Sequence, residues 1–233
     1  MESRRPETYL DGAVLFIDKP LTWTSFDVVN KIRKSLRHYL GIQKIKVGHA
    51  GTLDPLATGL VIICTGKATK QIMQYQDLDK AYDAQVRLGS TTPSFDLETE
   101  VDETFPWEHI TQEMVSMSLK QFTGELQQIP PLYSAKSVDG KRAYEIARKG
   151  KTVELKPQQI TINHLELLSF TPPDLTIQVE CSKGTYIRSL ARDIGISLKS
   201  GGHLTGLRRT RIGPHRVDQA ISIENFIEKI KLL

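Results

Sequence analysis

Residues 48–60 read GHAGTLDPLATGL, and the apolar run Val61-Ile62-Ile63-Cys64 follows them. Asp54 is the one acid between Gly48 and Gly66, and this segment has no Lys or Arg. Glycine, proline and threonine favour a tight turn, and the apolar run is typical of a buried strand. A rigid turn against a buried strand can hold a catalytic side chain in one place. Asp54 is therefore a candidate catalytic residue, although an Asp-Pro pair also starts turns that have no chemical role.

The composition is that of a globular protein with a sizeable core. The chain has 233 residues, of which 39% are hydrophobic and 25% are charged, enough for one large domain or two small ones. No apolar run is long enough to span a bilayer, and the first residues lack the apolar core of a signal peptide. Cys64 and Cys181 each lie in a strand-like apolar stretch, which predicts buried free thiols and a reducing cytoplasm.

The charges are segregated along the chain, whereas the net charge of +4 is only mild. Residues 28–53 contain six Lys or Arg and no acid, and residues 181–216 contain eight Lys or Arg with Asp193 as the one acid. Residues 96–113 contain seven acids and no Lys or Arg. This pattern predicts a basic face that contacts phosphates and an acidic region turned away from them, although solvated faces also segregate charge.

The periodicity predicts an α+β fold with a largely antiparallel sheet. Alternating or apolar stretches predict strands near residues 13–17, 60–64, 82–88, 159–170 and 175–181. Helical spacing predicts a helix capped by Ser25 and ending at Gly41, a second near 110–122, a third over 186–198 and a short one capped by Ser222. Residues 93–108 are expected to form a polar loop.

Several common sites are not supported. Gly66-Lys67 lacks the other residues of a nucleotide-binding loop. The six histidines show no metal-ligand spacing, so no metal is expected. Neither Ser134 nor Ser182 has a suitable Ser-His-Asp arrangement, which argues against serine-hydrolase chemistry.

Six segments, in order, resemble the motifs of the TruB family, the tRNA pseudouridine-55 synthases. They cover roughly residues 13–215. Two of them are HAGTLDPLATGLVIICTGKATK from His49 and CSKGTYIRSL from Cys181. The others are DKP with WTS from Asp18, KAY followed by LG from Lys80, PPLYSA from Pro130 and LRR from Leu207.

The resemblance implies a fold and an activity. It implies a pseudouridine synthase fold, a mainly antiparallel mixed sheet with flanking helices. We expect a single catalytic domain over residues 1–233 with an RNA-binding insertion at about residues 124–155. Few residues follow Arg216, so a C-terminal PUA domain is not expected. The implied reaction breaks the glycosidic bond of uridine 55 in the tRNA T loop and rejoins the same uracil through carbon. The reaction is neither a redox change nor a net hydrolysis, so no cofactor is expected.

The resemblance also implies roles for particular residues. Asp54 is the expected nucleophile, and Arg188 is the expected counter-charge that keeps it ionised. A facing guanidinium typically lowers a carboxylate pKa by roughly 1–3 units. Tyr82 is expected to pack on the target base and to assist loss of the C5 proton, although a strand tyrosine can also pack in a core. The remaining expected substrate contacts are His49, Tyr186 and Leu207. Lys19 is expected to position the loop.

The resemblance further implies the partner. We expect the T stem-loop of tRNA as substrate, a monomer, a cytoplasmic location, and neither a guide RNA nor a membrane. The insertion carries positive charges suited to phosphates: Lys136, Lys141, Arg142, Arg148, Lys149 and Lys151. The chain departs from the family at Thr22, where glycine is usual, and at Ser137, where lysine is common. If position 22 needs a positive φ, threonine fits it poorly.

Two other functions remain open at this point. One is a non-catalytic tRNA-binding protein or folding chaperone with the same fold. The other is a glycoside hydrolase, although the required second carboxylate has no equivalent beside Asp54.

Overall fold

The computed structural model describes residues 6–134, 136–138, 140–147, 151 and 153–232. The chain forms two compact units. The first unit contains the residues up to Ala81 and those from Arg208 onward, and the second contains Tyr82 to Leu207. The expectation of one catalytic domain over 1–233 stays a prediction, because compact units of backbone need not be separately folding domains.

Seven helices occur in the described part of the chain. They are α1 Pro6–Gly12, α2 Ser25–Tyr39, α3 Ile72–Asp77, α4 Gln112–Lys120, α5 Ala143–Ala147, α6 Ile187–Ser197 and α7 Ile223–Lys231. Two short 3-10 turns accompany them, Gly66–Gln71 and Val217–Gln219.

Thirteen strands occur in the same described part of the chain. They are β1 Val14–Lys19, β2 Val47–His49, β3 Ala57–Thr65, β4 Lys80–Leu88, β5 Ser90–Thr91, β6 Glu103–Thr104, β7 Gly124–Gln128, β8 Ser137–Val138, β9 Lys141–Arg142, β10 Gln158–Thr171, β11 Asp174–Cys181, β12 Gly202–Ile212 and β13 His215–Arg216.

In the first unit, strand β3 is the centre of the sheet. It pairs antiparallel with β1 on one side, with Phe16 opposite Ile62, and lies beside β12 on the other. Strand β2 pairs antiparallel with the end of β3. Helices α2 and α7 pack on each other. Buried Leu60, Ile62 and Cys64 lie in one apolar cluster, which fixes the strand that follows the Asp54 turn.

In the second unit, the sheet order is β12-β4-β11-β10-β7. The long strands β10 and β11 pair antiparallel with two register shifts, and β7 pairs antiparallel with the start of β10. Helix α4 packs on β10 and on α6. The inward residues of β11 are Leu175, Ile177, Val179 and Cys181, all at most 1% exposed. Their alternation is the period of two that a half-buried strand requires.

The predicted fold class is confirmed, since the strand pairs with recorded direction in these sheets are antiparallel and helices pack beside them. Both cysteines are buried free thiols, as predicted, and burial raises the pKa of Cys64 to about 11. The predicted cap of α2 is wrong. Thr24 caps the helix through a capping box with Asp27, because the Ser25 side chain is buried and bonds to Leu53 instead.

Residues 93–108 are more ordered than the polar loop that was predicted. They include strand β6, and their first part contains the buried side chains of Ser94 and Asp96. The Ser94 hydroxyl donates to the Asp96 carbonyl, and the Asp96 carboxylate accepts from the Glu98 amide. These buried side chains thus bond to the backbone of their own segment.

Gly59 allows β3 to approach β12 closely. Its φ is +107°, and a Cβ there would lie 2.3 Å from the Arg209 carbonyl oxygen. We expect Gly59→Ala to destabilise the fold by about 2–4 kcal/mol, because backbone must shift and a side chain must adopt a left-handed conformation. Urea unfolding measures this loss.

Gly41→Ala is the matched control for that variant. Gly41 also has a positive φ, of +64°, but nothing lies within 4 Å of its built Cβ. It should cost only about 1 kcal/mol. If the two variants lose equal free energy of unfolding, the close approach to β12 does not contribute to the cost of Gly59→Ala.

Candidate active site

Asp54 begins a tight turn between β2 and β3. The Ala57 amide donates to the Asp54 carbonyl at 3.1 Å, and Pro55 occupies the second position of the turn. Aspartate at the first position and proline at the second are the preferred residues of such a turn. The Asp54 side chain is partly exposed. The residue is therefore a turn former that is also partly exposed, and the two interpretations of the sequence do not exclude each other.

The backbone of this turn is held by Arg209. Its guanidinium is 1% exposed and donates to the carbonyl oxygens of Leu60 at 2.7 Å, Thr52 at 3.2 Å and Gly51 at 3.3 Å. A guanidinium offers five donors in a rigid fork, so one side chain fixes the backbone on both sides of Asp54. The neighbouring Arg208 instead pairs with Asp18, at 2.7 Å.

Lys19 fixes the same turn from another direction. Its ammonium donates to the carbonyl oxygens of Pro20, Trp23 and Pro55. Burial lowers the pKa of Lys19 to about 8, the negative charge of Asp54 opposes that shift, and the positive charge of Arg209 adds to it. The lysine stays charged at neutral pH, with three carbonyl acceptors for its three protons. This geometry agrees with the expectation that Lys19 positions the loop.

The segment before α2 is attached directly to the Asp54 turn. The Thr22 amide donates to the Pro55 carbonyl at 2.9 Å, and Ser25 exchanges two hydrogen bonds with the backbone of Leu53. Thr22 has a φ of +69°, which is the left-handed conformation that glycine favours. The turn therefore forms with threonine in place of the usual glycine, and the threonine carries the strain.

His49 ends β2 and is half-buried. In the part of the chain that the structure describes, its buried Nδ1 has no hydrogen-bond partner. Burial lowers the pKa of His49, the Gly51 backbone opposes the shift, and the positive charge of Arg209 adds to it. The imidazole is therefore neutral at physiological pH.

In the second unit, Arg188 lies in the first turn of α6 and is 4% exposed. It donates to the carbonyl oxygens of Tyr133 at 2.9 Å and Ser94 at 3.2 Å. The carboxylate of Asp96, 5% exposed, lies 3.6 Å from its Nε. The sequence analysis placed Asp96 in an acidic region turned away from RNA, whereas the structure turns this acid inward.

Gln128 fixes the backbone at the start of α6. Its side-chain amide donates to the Tyr186 carbonyl and accepts from the Tyr186 amide, at 3.1 and 2.8 Å. Ile129, the residue after Gln128, accepts a hydrogen bond at its carbonyl from the Ser189 hydroxyl at 2.8 Å. Gln128 is 4% exposed, so this pair of bonds is shielded from water. It sets the position from which the half-buried Tyr186 and the buried Arg188 project.

Two further candidate residues lie on strands. Tyr82 is in β4 and is 8% exposed, and Leu207 is in β12 and half-buried. The depth of Tyr82 fits a core tyrosine as well as one that packs on a base.

Two family models together match most of the chain. Residues 37–187 match the model described as TruB family pseudouridylate synthase (N terminal domain), and residues 188–232 match tRNA pseudouridylate synthase B C-terminal domain. The chain belongs to the TruB family. It is accordingly a tRNA pseudouridine synthase, an isomerase that modifies RNA. The open alternatives of a non-catalytic binding protein and a glycoside hydrolase are thereby set aside.

Curated TruB relatives match over nearly their full length. The protein named tRNA pseudouridine synthase B from Phocaeicola vulgatus is 60% identical over 220 residues, which cover 94% of each chain. The protein of that name from Parabacteroides distasonis is 58% identical over 224 residues, covering 95% of each. The one from Flavobacterium johnsoniae is 52% identical and covers 97% of this chain and 99% of its own.

Solved structures show the same fold in larger proteins. A chain of a Cbf5-Nop10-Gar1 complex matches with a TM-score of 0.74 and 28% identity, over 97% of this chain and 56% of the solved chain. A chain of an H/ACA RNP bound to a substrate RNA containing 2'-deoxyuridine matches with a TM-score of 0.70 and 26% identity, over 97% and 55%. The pseudouridine synthase fold predicted from the TruB motifs is confirmed.

The structure groups the candidate residues of this TruB chain within each unit. Asp54 and His49 lie on either side of the carbonyls that Arg209 binds, and Tyr186 and Arg188 share the start of α6. Arg209, Asp96 and Gln128 were not recognised as important from the sequence. Arg209 lies in the quoted LRR motif, but nothing in its spacing indicates that it is buried. Gln128 and Asp96 gave no sequence signal beyond their place in longer polar segments.

The predicted RNA-binding insertion is described only in part. Lys136 donates to the Gln158 side chain, which in turn donates to the Gly184 carbonyl at 2.7 Å. Lys151 is exposed. The predictions for Arg148 and Lys149, and for the side chains of Lys141 and Arg142, lie outside the described residues.

The described residues offer neither a metal-binding cluster nor a membrane-spanning helix. Among the described residues, no three or more His, Cys, Asp or Glu side chains are grouped to hold a metal ion. Over the same residues, no helix is both long and apolar enough to cross a membrane.

The neutral state of His49 predicts a pH dependence of stability. Because its pKa is lowered on folding, the unfolded chain takes up a proton at a higher pH than the folded chain does. Stability is therefore lost as the pH falls below about 6.5. We expect His49→Gln to lose less stability than the parent between pH 7.5 and 5, as measured by urea unfolding at each pH.

His38→Gln is the control for this prediction, since His38 is an exposed residue of α2. That variant should follow the parent. If His49→Gln also follows the parent at every pH, burial of the imidazole does not govern its protonation.

Proposed function

We propose that this enzyme converts uridine 55 in the T loop of tRNA to pseudouridine, with Asp54 as the nucleophile. The observation that carries the proposal is the setting of Asp54: an isolated acid, partly exposed, on a turn that other side chains hold. It is the one acid between Gly48 and Gly66, its side chain is partly exposed, and Arg209 and Lys19 hold the turn that bears it. The relatives named tRNA pseudouridine synthase B support the choice of tRNA.

The reaction needs three things of the protein. A carboxylate must attack either the ribose C1′ or the uracil C6, so that the C1′–N1 bond breaks. The freed uracil must stay in place and turn so that its C5 bonds to C1′. The proton on C5 must then leave to restore the aromatic ring. Atoms and electrons balance without an oxidant, a reductant or water, so the proposed mechanism needs no cofactor.

Asp54 must remain ionised while RNA covers it, and covering a carboxylate disfavours its charged form. We assign the counter-charge to Arg188, whose place in the CSKGTYIRSL motif matches the family arginine. Its guanidinium is already buried and bonded to carbonyl oxygens, so it loses little freedom when substrate binds. Arg suits this role better than Lys, because its planar fork matches a carboxylate.

We assign the contacts with the target base to four residues. Tyr82 packs on the uracil and assists removal of the C5 proton. Stacking of a base on an aromatic ring is worth about 1–3 kcal/mol, which offsets part of the few kcal/mol needed to extrude the base. His49, neutral and without a partner on Nδ1 among the described residues, fills the space left by the extruded base. Tyr186 and Leu207 line the pocket.

The T stem-loop is the proposed binding partner, since RNA loops present bases that can be unstacked. We propose that the enzyme works in the cytoplasm as a monomer without a guide RNA. Residues of the insertion at about 124–155 are proposed to contact the T arm.

Replacement of the nucleophile tests the mechanism. Asp54→Asn should abolish pseudouridine formation on a T stem-loop transcript, because an amide cannot form the covalent intermediate. RNA affinity should stay within about tenfold of the parent, since the turn itself is held by other residues. Nucleoside analysis and equilibrium binding measure the two effects.

Asp11→Asn supplies the matched control, because it removes one exposed carboxylate paired with Lys67 on the surface. It should retain parental activity. Normal amounts of pseudouridine at position 55 from Asp54→Asn would exclude the proposed role, and product at another uridine alone would exclude the proposed target.

The counter-charge is tested by a pH profile. Arg188→Gln should lower kcat/KM by about a hundredfold or more at neutral pH, a loss of about 3 kcal/mol. It should also move the acidic limb of the profile to higher pH, because Asp54 would then be harder to ionise. The surface variant Arg87→Gln, which breaks an exposed pair with Asp174, should leave both features unchanged. A uniform loss of rate with an unmoved acidic limb would assign Arg188 a role in folding only.

A further inference from the structure

Helix α2 has a basic outer face that the proposed chemistry does not use. Its inner face is apolar and fully buried, through Val28, Val29, Ile32 and Leu36. Opposite them lie exposed side chains: Lys31, Lys34 and Arg37 at intervals of three residues, and Phe26 in the first turn. At 100° per residue these four fall within one side of the helix. We call these four residues the α2 basic face.

The cations of this face have no acidic partners among the described residues. Within the described residues, no carboxylate forms an ion pair with Lys31, Lys34 or Arg37, whereas exposed Lys67 and Arg87 each have one. The sequence has no acid at all from residue 28 to residue 53. Three unneutralised charges on two turns of helix repel one another, so a binding anion relieves a cost that the free protein carries.

The acid at the start of the helix does not neutralise them. Asp27 accepts hydrogen bonds from the Thr24 amide and hydroxyl in the capping box. Those bonds lower the pKa of Asp27, and its charge faces the positive end of the helix.

Two open clefts lie along this face and share Lys34. The first, of about 430 Å³, is lined by Thr22, Trp23, Asp27, Asn30, Lys31 and Lys34. The second, of about 350 Å³, is lined by Lys34, Arg37, His38, Gly41, Ile42 and Gln43. The first therefore places an indole beside two ammonium groups. The exposed ring of Phe26, 61% accessible, adds a second aromatic. Aromatic rings among cations are typical of surfaces that bind single-stranded nucleic acid.

This face begins at the turn that carries Asp54. Ser25 bonds to the Leu53 backbone and Thr22 bonds to the Pro55 carbonyl, so the start of α2 and the Asp54 turn form one rigid piece. At a rise of 1.5 Å per residue, Lys31 is about 10 Å and Arg37 about 20 Å along the helix from its cap. An RNA whose target base reaches Asp54 has phosphates at such distances.

We propose that the α2 basic face binds the phosphate backbone of the RNA that flanks the target uridine, and that Phe26 stacks on one of its bases or riboses. The proposal rests on the proposed function for the identity of the RNA. The α2 basic face would be a further RNA-contact surface, on the first unit, beside the RNA contacts proposed for the family motifs and for the insertion. An acidic protein surface is the competing occupant, which the experiment distinguishes.

The test compares two variants of equal net charge. Lys31→Gln/Lys34→Gln removes two cations from the α2 basic face, and glutamine keeps the helix propensity. Lys120→Gln/Lys229→Gln removes two exposed cations from α4 and α7, helices that also carry acids. The dissociation constant for a T stem-loop transcript is measured from 50 to 300 mM salt, and single-turnover kinetics give the rate of the bound complex.

The α2 variant should bind about tenfold more weakly at 0.1 M salt. The slope of log K against log salt should become shallower by about 1.4, which is two contacts at about 0.7 each. The rate in the bound complex should not change. The control should keep the parental affinity and slope. Parental affinity and slope in the α2 variant would overturn the proposal and leave an acidic protein as the alternative occupant.

Phe26→Ala separates stacking from charge. It should weaken binding by about five- to tenfold without changing the salt slope, because no cation is removed. An unchanged affinity would remove Phe26 from the contact. The failure of the proposed function is a separate result. If the parent forms no pseudouridine at position 55, the target is wrong, and the same salt titration on whatever RNA is modified still tests the α2 basic face.

Discussion

The arrangement of the Asp54 turn depends on the burial of one guanidinium. Arg209 donates to carbonyl oxygens on both sides of the turn, at Gly51, Thr52 and Leu60. A buried cation is costly unless its donors are used, and these carbonyls would themselves be costly to leave unpaired. The guanidinium therefore needs the carbonyl oxygens as acceptors, and the carbonyl oxygens need the guanidinium as donor. The close approach of the Arg209 backbone to Gly59 is the steric counterpart of the same contact.

Lys19 repeats that arrangement at the same turn. Its ammonium binds carbonyls from two separate segments, at Trp23 and at Pro55. The turn and the start of α2 are thus joined by a charge as well as by the Ser25 and Thr22 hydrogen bonds. Two buried cations beside one carboxylate also set the local field. They favour the ionised form of a carboxylate in their vicinity. The positive charge of Arg209 also adds to the burial that lowers the pKa of His49.

Hydrogen bonds also fix the backbone and the side chains at the start of α6. Gln128 occupies both backbone groups of Tyr186, and Arg188 is fixed by two carbonyls with Asp96 beside it. A polar group that is fully paired inside a protein allows few alternative positions. The residues that the motifs mark for chemistry therefore project from backbone that other residues hold. This is the arrangement expected of a site that is preorganised before substrate binds.

The sequence by itself determined the strands β1, β3, β4, β10 and β11, the helices α2, α4, α6 and α7 with its Ser222 cap, and the candidate residues of the motifs. These features are encoded locally, in the alternation of buried side chains and in turns such as Asp54-Pro55 that specify their own geometry. It also indicated the basic stretch that includes α2. Only the tertiary structure decided which polar side chains are internal. Arg209, Asp96 and Gln128 belong to stretches that are as polar as any surface. Arg209 and Gln128 bond to backbone atoms distant in sequence, and Asp96 lies beside the distant guanidinium of Arg188. Backbone carbonyls leave no mark in a sequence, so a side chain buried against them cannot be distinguished from an exposed one until the chain is folded.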